Sequence, residues 1–195
     1  MPTFHTEQLN NIPIANTVKT FLTENGLPQS SRKESTLGIH FITDVTQMTP
    51  VLVDKHSYWK IGNEWEENKN IIAIREGTEE VYAVELGQPN KAVFINSNLP
   101  SFLLVLQYFK QYEKRKEAWE PPPMILSRDE MLKKLEMFKN GTMPVADRAG
   151  KKEAFDQQNE FNAMKSYIQQ CDAVAIQNEN YWWHIILEQV ANDIL

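Results

Sequence analysis

The sequence predicts an α+β fold: an antiparallel sheet of about five strands with flanking helices and a helical C-terminal extension. Three observations lead to it. Residues 51–97 carry period-two runs of β-branched and aromatic side chains. The gaps between those runs are short and rich in Gly, Asn and Pro, so successive strands should be antiparallel neighbours. Apolar residues at helical spacing lie before this region and after it.

The first helix is expected from Pro13 to Glu24. Pro13 suits a first turn, Ile14, Val18, Phe21 and Leu22 share a side, and Asn25-Gly26 before Pro28 is a stop. Ile39-His40-Phe41-Ile42 reads as a short strand. Val51 to Ile61, Asn70 to Arg75, Glu80 to Leu86 and Lys91 to Ile95 read as a meander. Its turns are Gly62-Asn63, Glu76-Gly77-Thr78 and Gly87-Gln88-Pro89-Asn90. Asn98 can cap a helix with Pro100 in its first turn and Phe102, Leu103, Leu106 and Phe109 on the face that covers the sheet. Phe102 and Leu106 are therefore expected to be buried. Acidic and basic side chains alternate from Lys110 to Glu117, which describes a solvated helix end.

Pro121-Pro122-Pro123 breaks the chain. Ser127 with Glu130 forms a capping box before Met131, Leu132, Leu135 and Phe138, and Asn140-Gly141 stops that helix. Lys151 to Gln170 reads as a polar helix with a thin stripe of Phe155, Phe161, Met164 and Ile168. The last element reads as an aromatic-rich helix, Tyr181-Trp182-Trp183 with Ile185, Ile186, Leu187 and Val190. Adjacent helical positions lie about 100° apart, so only one of the two tryptophans is expected to be deeply buried. In domain terms, 1–118 is expected to form the α+β core and 119–195 a helical extension packed on it.

At 195 residues, 42% hydrophobic and 24% charged, the chain can bury a core without staples. Cys171 is its only cysteine, which excludes an internal disulfide and a thiolate zinc site. The N-terminus lacks a basic region followed by an apolar one, so it does not read as a signal peptide. The uncharged run 92–109 is interrupted by Asn96-Ser97-Asn98-Leu99-Pro100 and cannot span a bilayer. The protein is expected to be cytoplasmic, away from membranes. A net charge of −6 repels phosphate backbones and favours basic partners, and no direct nucleic-acid binding is expected.

No catalytic motif is present: no GxGxxG, no P-loop, no GxSxG and no HExxH. His5, His40, His56 and His184 are scattered, and Cys171 has no local base. No catalytic, cofactor or metal residue is assigned. What remains is acidic. Glu64, Glu66 and Glu67 surround Trp65, and Glu76, Glu79 and Glu80 sit at the next turn. Both groups are expected in hairpin connections, as solvated tips or as an acidic partner-binding edge with Trp65 as an exposed aromatic anchor.

Several segments, taken in order, resemble one family. Gly26-Leu27-Pro28 after Phe21-Leu22-Thr23-Glu24 is similar to the helix stop near the start of SUKH-superfamily (Smi/Knr-like) domains. Tyr58-Trp59-Lys60-Ile61-Gly62 resembles a strand end of that family, and Ile71-Ile72-Ala73-Ile74 with Val81-Tyr82-Ala83-Val84 its following hairpin. Phe94-Ile95-Asn96-Ser97-Asn98-Leu99 then Phe102-Leu103 resembles its passage into a helix. Asp172-Ala173 and Trp182-Trp183 fit the carboxyl end of the fourth SUKH immunity subfamily. The resemblance implies a twisted antiparallel sheet and a bacterial immunity protein that binds and neutralises the toxin domain of a polymorphic toxin, often a nuclease. It carries over no catalytic residue. The alternatives are a regulatory scaffold or adaptor on the same fold, and an enzyme whose site would have to be assembled from distant residues such as His40, His56 and the hairpin glutamates.

Overall fold

The computed structural model describes residues 4–29, 35–65, 69–87, 89–119, 127–142, 155–192 and 194–195. Its helices are α1 (Thr6–Leu9), α2 (Asn16–Glu24), α3 (Leu99–Trp119), α4 (Arg128–Lys139), α5 (Gln157–Cys171) and α6 (Trp182–Ala191). The strands are β1 (Ile39–Phe41), β2 (Pro50–Val53), β3 (His56–Glu64), β4 (Asn70–Arg75), β5 (Val81–Glu85) and β6 (Lys91–Asn96). The chain divides into two compact units, residues 1–111 with 157–195, and residues 112–156. The C-terminal segment 157–195 thus belongs to the same unit as the sheet.

In the first unit the six strands form one antiparallel sheet in the order β1-β3-β4-β5-β6, with β2 also paired to β3. The meander from β3 to β6 is sequential, as the short connections predicted. Two expectations are corrected. Val51 to Ile61 is not one strand but a hairpin, β2 and β3, joined by Asp54-Lys55 at φ 46° and 71°. Positive φ at both positions is the twist-matched hairpin geometry, here built without the usual Asn-Gly signal. Gly62-Asn63 is not a turn but lies inside β3, beyond a bulge at Ile61. Gly62 is where β1 crosses closest: a Cβ there would lie 2.9 Å from the His40 carbonyl oxygen.

The sheet curls. Asn90, in the β5–β6 connection, donates to the Leu52 carbonyl of β2 at 3.2 Å, although four strand positions separate β2 from β6. The enclosed face holds a small core of Val53, Tyr58, Ile71, Ala73 and Val84. The opposite face carries α3. Asn98 caps that helix through Ser101 N–H at 2.9 Å, and Phe102 and Leu106 are buried as expected. Gly26 at φ 67° ends α2 as predicted, while α2 itself starts at Asn16, after Pro13.

Trp182 and Trp183 are 6% and 0% exposed, so the expectation that one would lie at the surface is wrong. The reason is that α6 is enclosed on two sides. Trp183 turns towards Asn96 and Phe109, Trp182 towards Phe102, and the two rings meet edge to face at 4.8 Å.

In the second unit, Ser127 and Glu130 make the predicted capping box and Gly141 takes φ 65° after α4. Met131, Leu132, Leu135 and Phe138 are exposed on α4. Phe155 packs against Trp119 with ring centroids 5.9 Å apart. The expected prolines 121–123 and the expected helical start at 151–154 lie outside the described residues. No helix among the described residues is long and apolar enough to cross a membrane.

Candidate functional site

Three of the segments that carry the sequence resemblance, the β6–α3 passage, Asp172-Ala173 and the tryptophan pair, meet in space. A bulge at the end of β6 puts Phe94 opposite Tyr82, yet Asn96 opposite Val81, so Asn96 turns to the helical face. There its amide oxygen accepts from the Trp183 indole at 2.8 Å, and its Nδ2 donates to Asp172 at 3.0 Å. Asp172 also accepts from Ser97 N–H at 2.6 Å, Ser97 Oγ at 3.0 Å and Val174 N–H at 3.2 Å. Ser101 Oγ donates to the Cys171 carbonyl at 3.1 Å. This junction welds the C-terminal helices to the sheet. Its side chains are consumed by one another, so its role is structural.

A second constellation leaves chemistry unspent. At the end of β3, Trp65 takes φ 53° and its N–H donates to the Gly38 carbonyl at 2.8 Å. One face of its indole rests on Gly38, where a Cβ would fall 2.4 Å from Cδ2. The ring is nevertheless 70% exposed. Leu37, also at positive φ (51°), stands beside it. Non-glycine residues in the left-handed region store strain that the surrounding structure must offset, and such residues concentrate at functional sites. Together with Trp182, Ile185, Ile186 and Gln189, these residues wall a cleft of about 210 Å³ with Glu64 in it.

Glu64 is a half-buried carboxylate that accepts hydrogen bonds from the Trp182 indole and from Asn70 Nδ2, the latter at 3.4 Å. Burial pushes its pKa above the ordinary carboxylate value, outweighing both hydrogen bonds. A raised acid pKa means that the folded state binds the proton more tightly than the unfolded one. The group's contribution is therefore most favourable below the unfolded pKa and is lost as pH rises through the folded pKa. At neutral pH the charged Glu64 opposes folding. Glu64→Gln keeps an acceptor for the indole, so it is expected to be more stable than the wild type at pH 7. The gap should close as pH falls through the raised pKa, measured as urea midpoints at both pH values. A Gln variant less stable than the wild type at pH 7 would contradict this account.

The acidic residues singled out in the sequence are not brought together. Glu64 lies in β3 rather than in a loop, opposite Asn70 at one end of β4, whereas Glu76, Glu79 and Glu80 follow Arg75 at the other end. Glu76 is exposed. Glu79 accepts from the Thr17 hydroxyl at 2.6 Å. Glu80 pairs with Arg75 at 3.3 Å and accepts from the Tyr82 hydroxyl at 3.1 Å. Burial, then the Glu80 carboxylate, pushes Tyr82 up to about 12, so it stays a donor. Glu66 and Glu67 lie outside the described residues. His40 pairs with Asn63 near one end of β3, whereas His56 is the first residue of β3 and pairs with Val53 of β2, and among the described residues no group of three or more His, Cys, Asp or Glu gathers as metal ligands. Sequence reasoning missed Leu37, Gly38 and Trp182 as neighbours of Trp65. Only the glycine offered a local hint of close approach.

A larger groove of about 510 Å³ runs between the end of α2, β1 and α3. Its walls are mainly apolar, with Phe21, Pro28, Phe41 and Leu103 among them. It offers no buried charge to orient a ligand, unlike the Glu64 cleft.

No curated protein and no solved structure matches this sequence. The model of one protein family, described as SUKH-4 immunity protein, matches residues 1–189. That match runs through the β6–α3 passage, Asp172 and the tryptophan pair that build the buried junction, and the chain belongs to the SUKH-4 immunity protein family.

Proposed function

We propose that this protein is the antidote to a bacterial toxin, binding the toxin domain of a polymorphic toxin in the cytoplasm and blocking it by occupancy rather than by chemistry. The observation that carries this reading is the family match over residues 1–189. The net charge of −6 supports a basic partner, as a nuclease domain that handles phosphate backbones would be. In this reading the toxin is recognised at the Glu64–Trp65 end of the sheet, and Glu66 and Glu67, next in sequence, add to the acidic charge of that segment. Glu76, Glu79 and Glu80 at the other end act through the long-range field, which raises association rates in a salt-sensitive way.

The test is to look for a toxin gene adjoining this one and co-express its product with this protein, followed by calorimetric titration of the purified pair. Rescue of growth and a titration that ends at one to one are expected. Protection by substoichiometric amounts would point to catalysis, and absence of any complex would remove the toxin reading. Replacing the six glutamates by Gln should slow association most at low ionic strength. Equal rates at every salt concentration would remove the steering role.

A further inference from the structure

We propose that the cleft between Trp65 and α6 is the seat of an arginine side chain presented by the bound toxin, with its guanidinium on the Glu64 carboxylate and against the Trp65 indole. This rests on the toxin reading above and names the chemistry of its contact.

The argument begins with what the cleft contains. Its walls are Leu37, Trp65, Trp182, Ile185, Ile186, Gln189 and Leu195, and among the described residues that line it there is no basic side chain. Among the described residues its one ionisable side chain is Glu64, held at a cost that burial imposes and that its two hydrogen bonds do not remove. A carboxylate kept in such a place favours a cation that can replace the lost water. The remaining question is which cation. A lysine ammonium is a compact, strongly hydrated point charge. A guanidinium is planar and weakly hydrated, can meet a carboxylate with two donors, and stacks on an aromatic face. Trp is the best such face, and here Trp65 lies flat on Gly38 on one side with its ring otherwise exposed. The cavity of about 210 Å³ suits one long side chain and not a whole helix or strand.

Local geometry shows that the seat is built rather than incidental. Leu37 and Trp65 both take positive φ, at 51° and 53°, and the Trp65 N–H to Gly38 carbonyl bond locks the two segments together. Gly38, itself at φ 67°, lacks the side chain that would push the indole away. The Trp182 indole, which donates to Glu64, is fixed from behind by Phe102 and Trp183. Rigid aromatic walls around one desolvated charge are the usual composition of a binding hot spot.

The full-length protein can be tested without knowing the toxin. N-acetyl-arginine amide is titrated in while the indole N–H signals of Trp65 and Trp182 are followed by NMR, with the lysine and citrulline analogues as controls. Saturable shifts confined to these two indoles are expected with arginine, at least threefold weaker binding with lysine, and none with neutral citrulline. Glu64→Gln, folded by its NMR spectrum, should abolish them. Equal shifts with citrulline, persistence in Glu64→Gln, or no shift at all would overturn the proposal. With the toxin as probe, Glu64→Gln and Trp65→Ala should each weaken the complex at least tenfold. If both bind like the wild type, the seat is refuted while the toxin reading stands. If the wild type forms no complex, that reading fails and the arginine titration alone decides the seat.

Discussion

Replacing Asp172 with alanine is expected to lower the unfolding free energy by about 3–5 kcal/mol, from several buried donors each left unsatisfied at about 1–3 kcal/mol. Four hydrogen bonds converge on this carboxylate, from Asn96, from Ser97 twice and from Val174. They hold the start of the 173–176 turn to the end of β6. Through Asn96 the loss reaches the Trp183 indole, which would keep its acceptor only if Asn96 stayed in place. Asp172→Asn should cost less, because one oxygen remains an acceptor, yet its amide must face donors and cannot satisfy them all. The measurement is urea unfolding followed by tryptophan fluorescence. Against a typical total of about 5–15 kcal/mol, a loss of this size would leave little margin. If Asp172→Ala unfolds within 1 kcal/mol of the wild type, within about the spread of ordinary surface changes, the junction is not the weld it looks like.

Much of the fold was legible because local and global signals agree. The Asn98 cap, the Ser127–Glu130 box, the Gly26 stop and the turn after Arg75 each speak within a few residues, and each is where the sequence put it. The failures have physical causes. Asp54-Lys55 turns a hairpin without glycine or asparagine, so alternation read straight through it. Gly62 looked like a turn because it is small, but its smallness serves the approach of β1 across a bulge. Bulges break the period-two pattern by one residue and carry no reliable sequence mark, which is why the turn of Asn96 towards the helices could not be foreseen.

The tryptophan pair shows a different limit. The angular argument that adjacent helical residues cannot share a face is correct, and it still gave the wrong burial, because a helix enclosed on two sides buries both. The cleft was half legible for the same reason. Trp65 and Glu64 are neighbours in sequence and were singled out together. Leu37 and Trp182 reach the same place through β1 and α6, and only tertiary structure brings them there.

Phe102 connects the stability of the sheet to that cleft, and Phe102→Ala is expected to cost about 3–5 kcal/mol. Its ring is fully buried, edge-on to Phe41 of β1 at 6.2 Å and to Trp182 of α6 at 6.4 Å. Deleting it removes a wall from both. The sheet loses the Phe41 contact with α3, and Trp182 loses the support that aims its N–H at Glu64. Phe102→Leu keeps most of the volume and should cost less than the truncation. It separates the two consequences. In the leucine variant the chain should stay folded by far-UV circular dichroism while the Trp182 indole signal shifts, because a branched aliphatic chain cannot present the same flat edge. Affinity for the toxin should fall with it, although residue 102 is buried and touches no partner. An alanine variant within 1 kcal/mol of the wild type would refute the packing of α3 on the sheet. A leucine variant with an unmoved Trp182 signal and unchanged affinity would show that the cleft is braced by other residues.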